Sequence, residues 1–249
     1  MQAYLTLTRR ELGSFFLSWI GYVVIAGAVF LTGLSFVSLV DRLQGEPTPQ
    51  PITEVFLNLC FWLIVLFSAP IITMRLFALE KHTGTFETLM TAPVGDAEVV
   101  LAKFTAGLIF FMVMWLPLLG CIFILRSFAR GSNLLDPGTL GSTYLGIFLV
   151  GALYIAIGCF ASALTRSQIV AAMVSFAIGL AFFLTSFLAN QFALTKTWEV
   201  EALNCVCILE QMKDFARGVV DTRAIAFYVS AAAFFLFLAC RVIESRRWR

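Results

Sequence analysis

Uncharged stretches of about 20 residues alternate with short charged segments along the chain. A helix rises about 1.5 Å per residue, so about 20 apolar residues cross the roughly 30 Å hydrocarbon core of a bilayer. Six stretches meet this length, at 18–40, 55–74, 104–125, 140–164, 169–190 and 224–240. The pattern predicts an all-α integral membrane protein in which residues 1–249 form a single transmembrane domain of six helices.

The segment before the first stretch has the pattern of an amphipathic helix. Arg9 and Arg10 fall toward one side, and apolar side chains follow the other. These apolar residues are Leu5, Leu12, Phe15, Phe16 and Trp19. We therefore predict an N-terminal helix that lies in the membrane interface. The apolar run that follows is longer than the core of a cleavable signal peptide, which indicates an uncleaved span.

The 33 residues at 191–223 are too many for a plain connection and too mixed in charge for a seventh span. Apolar residues recur there in steps of three and four, as in an amphipathic helix. They are Leu209, Met212, Ala216 and Val219, with Glu210, Lys213, Asp214 and Arg217 on other sides. Gly218 is placed near the end of this helix. One interpretation of this pattern is a helix that only rests on the outer leaflet.

The composition agrees with a membrane environment. Hydrophobic residues make up 60% of the chain and charged residues 13%, which leaves too little polar surface to cover a water-exposed particle. The 17 Lys and Arg nearly balance the 15 Asp and Glu, giving a formal charge of +2. A chain with this balance is not expected to bind nucleic acid.

The six predicted spans contain no Asp, Glu, Lys, Arg or His. Proton-coupled carriers and intramembrane hydrolases need ionisable groups at membrane depth to relay protons or activate water. We therefore expect any energy for uphill transport to come from outside this chain.

The positions of Lys and Arg predict the orientation. With the N-terminus in the cytoplasm, ten of these cations fall in inner segments and seven in outer segments. Cytoplasmic loops are enriched in Lys and Arg, so both termini are predicted to be cytoplasmic.

No metal, cofactor or catalytic site is predicted. The six cysteines show no CxxC spacing, and Cys205 and Cys207 are too close in sequence for an unstrained disulfide, so free thiols are expected. His82 is the only histidine and is interpreted as a solvated loop residue. The chain also lacks the GxxxxGK[ST] phosphate-binding loop, so it is not expected to hydrolyse ATP.

The segment between the second and third spans predicts a short helix below the membrane. Gly84 is interpreted as its N-cap, and Glu87 at the third helical position is favourable at the positive helix end. Its apolar side chains at helical spacing are Phe86, Leu89 and Met90. This helix either lies on the lipid surface or inserts the three side chains into a groove of a soluble partner, with Glu80 and Glu87 making charged contacts at the rim.

The same segment closely resembles permeases of the ABC-2 type, especially the gliding-motility-associated subgroup. The matching residues are PIITMRLFA at 70–78, Glu80-Lys81, Gly84-Thr85, Glu87, Leu89 and Thr91-Ala92-Pro93. The resemblance implies that Thr83 to Met90 form a coupling helix that contacts an ATPase subunit. The coupling residues it implies are Arg75, Glu80, Thr83, Gly84, Thr85, Phe86, Glu87, Leu89 and Met90.

The resemblance extends over nearly the whole chain. It implies a re-entrant helical segment before the last span, which would include Glu210, Arg217, Gly218 and Asp221. It also implies a cytoplasmic ABC ATPase partner that binds ATP and Mg, and a second copy or a related membrane subunit, with or without a large external domain. Such permeases lie in the bacterial inner membrane and export or extrude their cargo, in this subgroup within a gliding-motility complex.

Two functions of other classes are compared with transport. A non-transporting scaffold or anchor would use the same loop to hold a cytoplasmic partner at the membrane, and the sequence separates it poorly from a permease. An intramembrane enzyme is disfavoured by the absence of ionisable residues in the predicted spans. The transported substrate is not predicted.

Overall fold

The computed structural model of the protein describes residues 2–45, 59–85, 95–128, 137–191 and 207–247. All regular secondary structure in these ranges is helical. The helices are α1 (Gln2–Leu17), α2 (Trp19–Gly45), α3 (Leu59–Thr73), α4 (Ala78–Thr83), α5 (Asp96–Met114), α6 (Leu116–Phe128), α7 (Pro137–Leu164), α8 (Gln168–Gln191), α9 (Ile208–Ala216) and α10 (Thr222–Arg247).

The prediction of six spans is confirmed. Six helical stretches in the described residues are long and apolar enough to cross a membrane, and they coincide with α2, α3 with α4, α5 with α6, α7, α8 and α10. Three boundaries differ from the prediction by five residues or more. The second span ends at Thr83 rather than 74, the third begins at Asp96 rather than 104, and the last ends at Ser245 rather than 240.

The chain reverses direction at each span, which defines two ends of the bundle. We call the end with α1, α4 and the last turn of α7 the proximal end, and the end with α9 the distal end. The structure thereby places α4 and α9 on opposite ends of the bundle.

Helix α7 forms the centre of the bundle. Its most apolar 18-residue window is 78% buried, against 22% for α8 and 17% for α10. It packs against α3, α5, α8, α9 and α10. Small residues permit these close approaches. On α8, the backbone at Gly179 lies against Tyr154 of α7, whose hydroxyl donates to the Gly179 carbonyl at 3.1 Å.

Proline interrupts the helix of the third span. The helix breaks at Trp115 between α5 and α6, two residues before Pro117, which has no N–H to donate. The Tyr144 hydroxyl donates to the Trp115 carbonyl at 3.1 Å and stabilises the break. At Pro70 the helix α3 continues to Thr73 without a break.

The predicted N-terminal helix is present as α1. It is joined to α2 by an elbow at Ser18, and a Cβ at Gly21 would lie 2.2 Å from the Phe15 carbonyl oxygen, so the elbow requires glycine there. The rings of Phe15 and Phe16 contact Phe110 of α5, with centroids 5.1 and 5.3 Å away. Helix α1 is therefore part of the bundle rather than a separate surface helix.

The predicted amphipathic helix before the last span is α9, and its buried face agrees with the prediction in part. Met212 and Ala216 are buried as predicted, Ile208 and Phe215 are buried in addition, and Val219 lies beyond the helix and is 57% exposed. The helix packs against α7, and a Cβ at Gly146 would lie 3.0 Å from Phe215. Burial against α7 excludes the alternative in which α9 only rests on the outer leaflet.

Candidate functional site

Four charged side chains meet at the proximal end. They come from α1 (Arg10, Glu11), α4 (Glu80) and α5 (Lys103) and are called the charge cluster below. Lys103 Nζ lies 3.1 Å from Glu11 Oε1 and 2.9 Å from Glu80 Oε1. Arg10 Nη2 lies 2.9 and 3.3 Å from the same two oxygens. Each carboxylate thus bridges both cations, and the cluster joins three helices.

Lys103 is the most buried member of the charge cluster. Its side chain is 3% exposed, against 11% for Glu11 and 16% for Glu80, while that of Arg10 is 58% exposed. The Lys103 ammonium also lies 5.3 Å from the centroid of the Phe77 ring. A buried cation requires such partners, because removing one member of a buried pair typically costs about 3–5 kcal/mol.

Lys103 corrects the sequence-based picture of spans without ionisable residues. It lies one residue before the predicted start of the third span, but the helix begins at Asp96 and Lys103 is buried within it. Because Lys103 is charged, the prediction started the span at the next residue. In the folded protein this charge is neutralised by Glu11 of α1 and Glu80 of α4. The bundle therefore contains a buried charged group near its proximal end.

The positions of these charges follow from the helical repeat. On α5, Val99, Lys103, Ala106 and Phe110 share one buried stripe, and on α1 the partly buried Leu7 and Phe15 stand four residues on either side of Glu11. A single charge on an apolar stripe is the sequence signal that could have located the cluster.

The hydrogen bond that Arg10 donates to Glu11 raises the pKa of the Arg10 guanidinium, so this cation stays charged.

The start of α4 is capped by a side chain of α7. The Ser162 hydroxyl accepts hydrogen bonds from the N–H groups of Phe77 (3.0 Å) and Ala78 (3.1 Å). These are among the N–H groups that a helix start leaves without an intrahelical partner. Lys81 Nζ also donates to the Ala163 carbonyl, one of the free carbonyls at the end of α7. Helix α4 is therefore attached to α7 as well as to α1 and α5.

Gly84 ends α4, and the helix that it was predicted to open lies, beyond Thr85, outside the described residues. Its φ of 77° lies in the left-handed region, which favours glycine, and it is the C-cap of α4. Thr85 directly after it is again helical. The predicted contact residues Phe86, Glu87, Leu89 and Met90 lie outside the described residues.

The described members of the predicted coupling set have different environments. Arg75 Nη1 donates to the Ser18 hydroxyl at the α1–α2 elbow at 2.7 Å, and Glu80 belongs to the charge cluster. Thr83 is exposed and donates to the Leu79 carbonyl at 3.0 Å. His82 is exposed as predicted, although it lies in α4 rather than in a loop.

Of the four distal residues predicted from the sequence, two stabilise helix ends and two lie at the surface of α9. Gly218 (φ 87°) closes α9, with its N–H donating to the Phe215 carbonyl at 3.2 Å. Asp221 caps α10 through its Oδ1, which accepts the Arg223 N–H at 2.9 Å. Glu210 pairs with Lys213 on the surface of α9, and Arg217 is exposed at its C-terminal end.

Hydroxyl groups of the bundle hold α9 at the distal end. The Ser142 hydroxyl of α7 donates to the Phe215 carbonyl at 2.7 Å, and the Ser186 hydroxyl of α8 accepts the Ile208 N–H at 2.9 Å. Cys207 is a buried free thiol that donates to the Ser186 carbonyl, while Cys205 lies outside the described residues. Partial burial raises the pKa of the Asp214 carboxyl on α9, and nearby Arg217 acts in the opposite direction.

Within the described ranges, no three His, Cys, Asp or Glu side chains are placed to hold a metal ion. The arrangement is instead suited to transmitting movement, because the short helix α4 is bonded to three other helices.

Comparison with known proteins gives one informative match. A family model described as ABC-2 family transporter protein matches residues 44–232, which is most of the chain. No curated protein matches the chain.

Proposed function

Because the chain belongs to the ABC-2 family of transporter proteins, we propose that it is the membrane subunit through which a separate cytoplasmic ATPase drives export or extrusion of a cargo. Membership makes the chain a membrane component of an ABC transporter rather than its ATPase. ATP and Mg would bind the ATPase partner, and a second copy of this chain or a related membrane subunit would complete the pathway.

The attachment of α4 is the observation that carries this proposal. Helix α4 is bonded to α1 and α5 through Glu80, and to α7 through Ser162 and Lys81. The predicted docking segment, Thr83 to Met90, begins in its last turn. A displacement of that segment by an ATPase would therefore act on three helices at once, which is the rigid-body type of switching transition.

We expect Glu87→Arg to weaken the association with the ATPase. In the proposed complex the Glu87 carboxylate lies at the rim of the docking groove, where reversing its charge introduces repulsion. The tagged chain is purified together with the ABC ATPase that accompanies it. The amount of ATPase bound per chain and the rate of ATP turnover are then measured. Both quantities should fall several-fold, as expected for about 1–2 kcal/mol of lost contact.

Glu244→Arg is the matched control for this experiment. It makes the same charge reversal at the proximal end of α10, where Glu244 pairs with Arg241 and its side chain is 43% exposed. Glu244→Arg should leave both quantities unchanged. Equal retention of the ATPase by Glu87→Arg would contradict docking through this segment.

The proposal places the proximal end in the cytoplasm, in a bacterial inner membrane with both termini inside. In a cysteine-free background we expect His82→Cys to react with a membrane-impermeant thiol reagent only in inverted vesicles. Val219→Cys, which is exposed at the distal end, should react only in intact cells. The reverse labelling pattern would show that the proximal end, with α4, faces away from the cytoplasm, where ATP is available. It would contradict the proposed orientation.

A gliding-motility type of complex is the finer proposal. It is supported by the resemblance of residues 70–93 to that subgroup of permeases. The alternative, a non-transporting anchor, predicts retention of an ATPase without ATP-dependent movement of any cargo after reconstitution of the whole complex.

A further inference from the structure

A cavity of about 480 Å³ with both charged and apolar lining residues lies between α1, the α1–α2 elbow, α4 and α5 at the proximal end. Its volume is within the range of ligand pockets in proteins. Three cations and two carboxylates line it, which leaves one positive charge. The charged lining residues are Arg10, Arg75, Lys103, Glu11 and Glu80.

Arg75 supplies the unbalanced charge. Glu11 and Glu80 are shared between Lys103 and Arg10, whereas Arg75 has no carboxylate partner in the parts of the chain that the structure describes. Among the described residues its one hydrogen bond is from Nη1 to the Ser18 hydroxyl, and its buried Nε has no acceptor there. A partly buried guanidinium without an anion is unfavourable, so the site favours an anion from outside the chain.

We infer the depth of the cavity from the apolar helices beside it. Ser18 directly precedes the span that starts at Trp19, and Arg75 follows the end of the apolar helix α3 by two residues, between α3 and α4 of the second span. Both positions favour the level of the lipid headgroups. The side chains of Leu17 and Trp19 on either side of Ser18 are 85% and 87% exposed. Exposed Trp and Leu at this level are suited to contact with lipid, and basic pockets on this level recognise lipid phosphates.

We propose that this cavity binds the phosphate group of a glycerophospholipid from the proximal leaflet, with Arg75 as the principal charged contact. The acyl chains leave the cavity over Leu17 and Trp19. The bound lipid neutralises the one unbalanced charge of the cavity and fills the space between α1 and α4. This site is separate from the docking segment and does not depend on the identity of the ATPase.

The test uses the purified full chain in a neutral detergent and a phosphatidylglycerol with a fluorescent label on one acyl chain. We expect Arg75→Gln to weaken its binding about tenfold or more, as for the loss of a charge-assisted hydrogen bond. Arg75→Lys should retain part of the affinity. Arg241→Gln, which removes an exposed cation at the same end, should bind like the unchanged protein.

Competitors identify the source of the phosphate. Unlabelled phosphatidylglycerol should displace the probe, diacylglycerol should not, and inorganic phosphate should do so only at far higher concentration. Displacement by diacylglycerol as effective as by phosphatidylglycerol would overturn the phosphate contact, and equal potency of inorganic phosphate would overturn the lipid assignment.

A second variant covers the case in which Arg75→Gln does not fold. Ser14 is exposed and lines the cavity, so Ser14→Trp fills its mouth while all five charges remain. This variant should also lose binding. Undiminished binding by a folded Ser14→Trp protein would show that the lipid binds elsewhere.

Discussion

Lys103→Met should reduce the stability of the protein by roughly 3–5 kcal/mol, the usual cost of removing one partner from a buried ion pair. The change keeps a long apolar side chain but leaves Glu11 and Glu80 with only Arg10, whose side chain is 58% exposed. The thermal unfolding midpoint in detergent should fall by roughly 6–20 °C for a chain of this size.

Arg241→Met is the matched control for Lys103→Met. It removes the cation of the Arg241–Glu244 pair, whose side chains are 63% and 43% exposed. Exposed pairs contribute about 0–1 kcal/mol, so this midpoint should barely change. A similar small change in Lys103→Met would show that the charge cluster does not stabilise the fold.

The double variant Glu80→Gln/Lys103→Met tests whether Glu80 and Lys103 stabilise the protein through their contact with each other or independently. Because the two side chains are in contact at 2.9 Å, the double change should cost less than the sum of the single changes, by roughly 0.5–3 kcal/mol. Additive effects would indicate that Glu80 and Lys103 act separately. The same variants should retain the ATPase while ATP turnover loses its response to the membrane subunit, since the docking segment is unchanged.

Gly158→Ala should be the most disruptive small change within the membrane. A Cβ at Gly158 of α7 would lie 2.0 Å from Oγ1 and 2.5 Å from Cβ of Thr73 on α3. Thr73 is fully buried and its hydroxyl donates to the Ala69 carbonyl at 2.8 Å, so it has little room to move. The helices must separate, at a cost of roughly 1–3 kcal/mol or more, measurable as a lower unfolding midpoint and a lower folded yield.

Gly141→Ala on the same helix is the control for Gly158→Ala. No atom lies within 4 Å of a Cβ placed at Gly141, so this change should be neutral or slightly stabilising. Thr73→Ala removes Oγ1 and should restore part of the stability of Gly158→Ala. Equal midpoints for the two glycine variants would mean that the α3–α7 contact is looser than described.

The membrane helices were predictable because the length and polarity of a span are imposed by the bilayer. The number and order of the six agree, and one error, the start of α5, arises where the charge of Lys103 is neutralised by Glu11 of α1 and Glu80 of α4. Glu98 and Lys103 interrupt the uncharged run, yet the helix continues through both. A hydropathy scale counts the charge of a side chain, but it does not count the ion-pair partner that offsets the free-energy cost of burying that charge.

The proximal contacts could not be predicted from local sequence. Ser162 and Phe77 are 85 residues apart, and Lys103 and Glu11 are 92 apart. Gly84 was predicted only as the N-cap of a following helix, and its φ of 77° identifies it as the C-cap of α4, a helix that the sequence did not predict. On α9 the apolar spacing predicted the helix and the burial of Met212 and Ala216, but not that of Ile208 and Phe215.

The net charge of the charge cluster determines how a movement of the cluster responds to the voltage across the membrane. Two cations and two carboxylates bridged through shared oxygens have no net charge. Work done by a transmembrane voltage scales with the charge displaced, at about 2.3 kcal/mol per elementary charge and 100 mV. Shifting these four groups as a unit therefore carries no gating charge, so the resting potential of the cell neither drives nor opposes that movement.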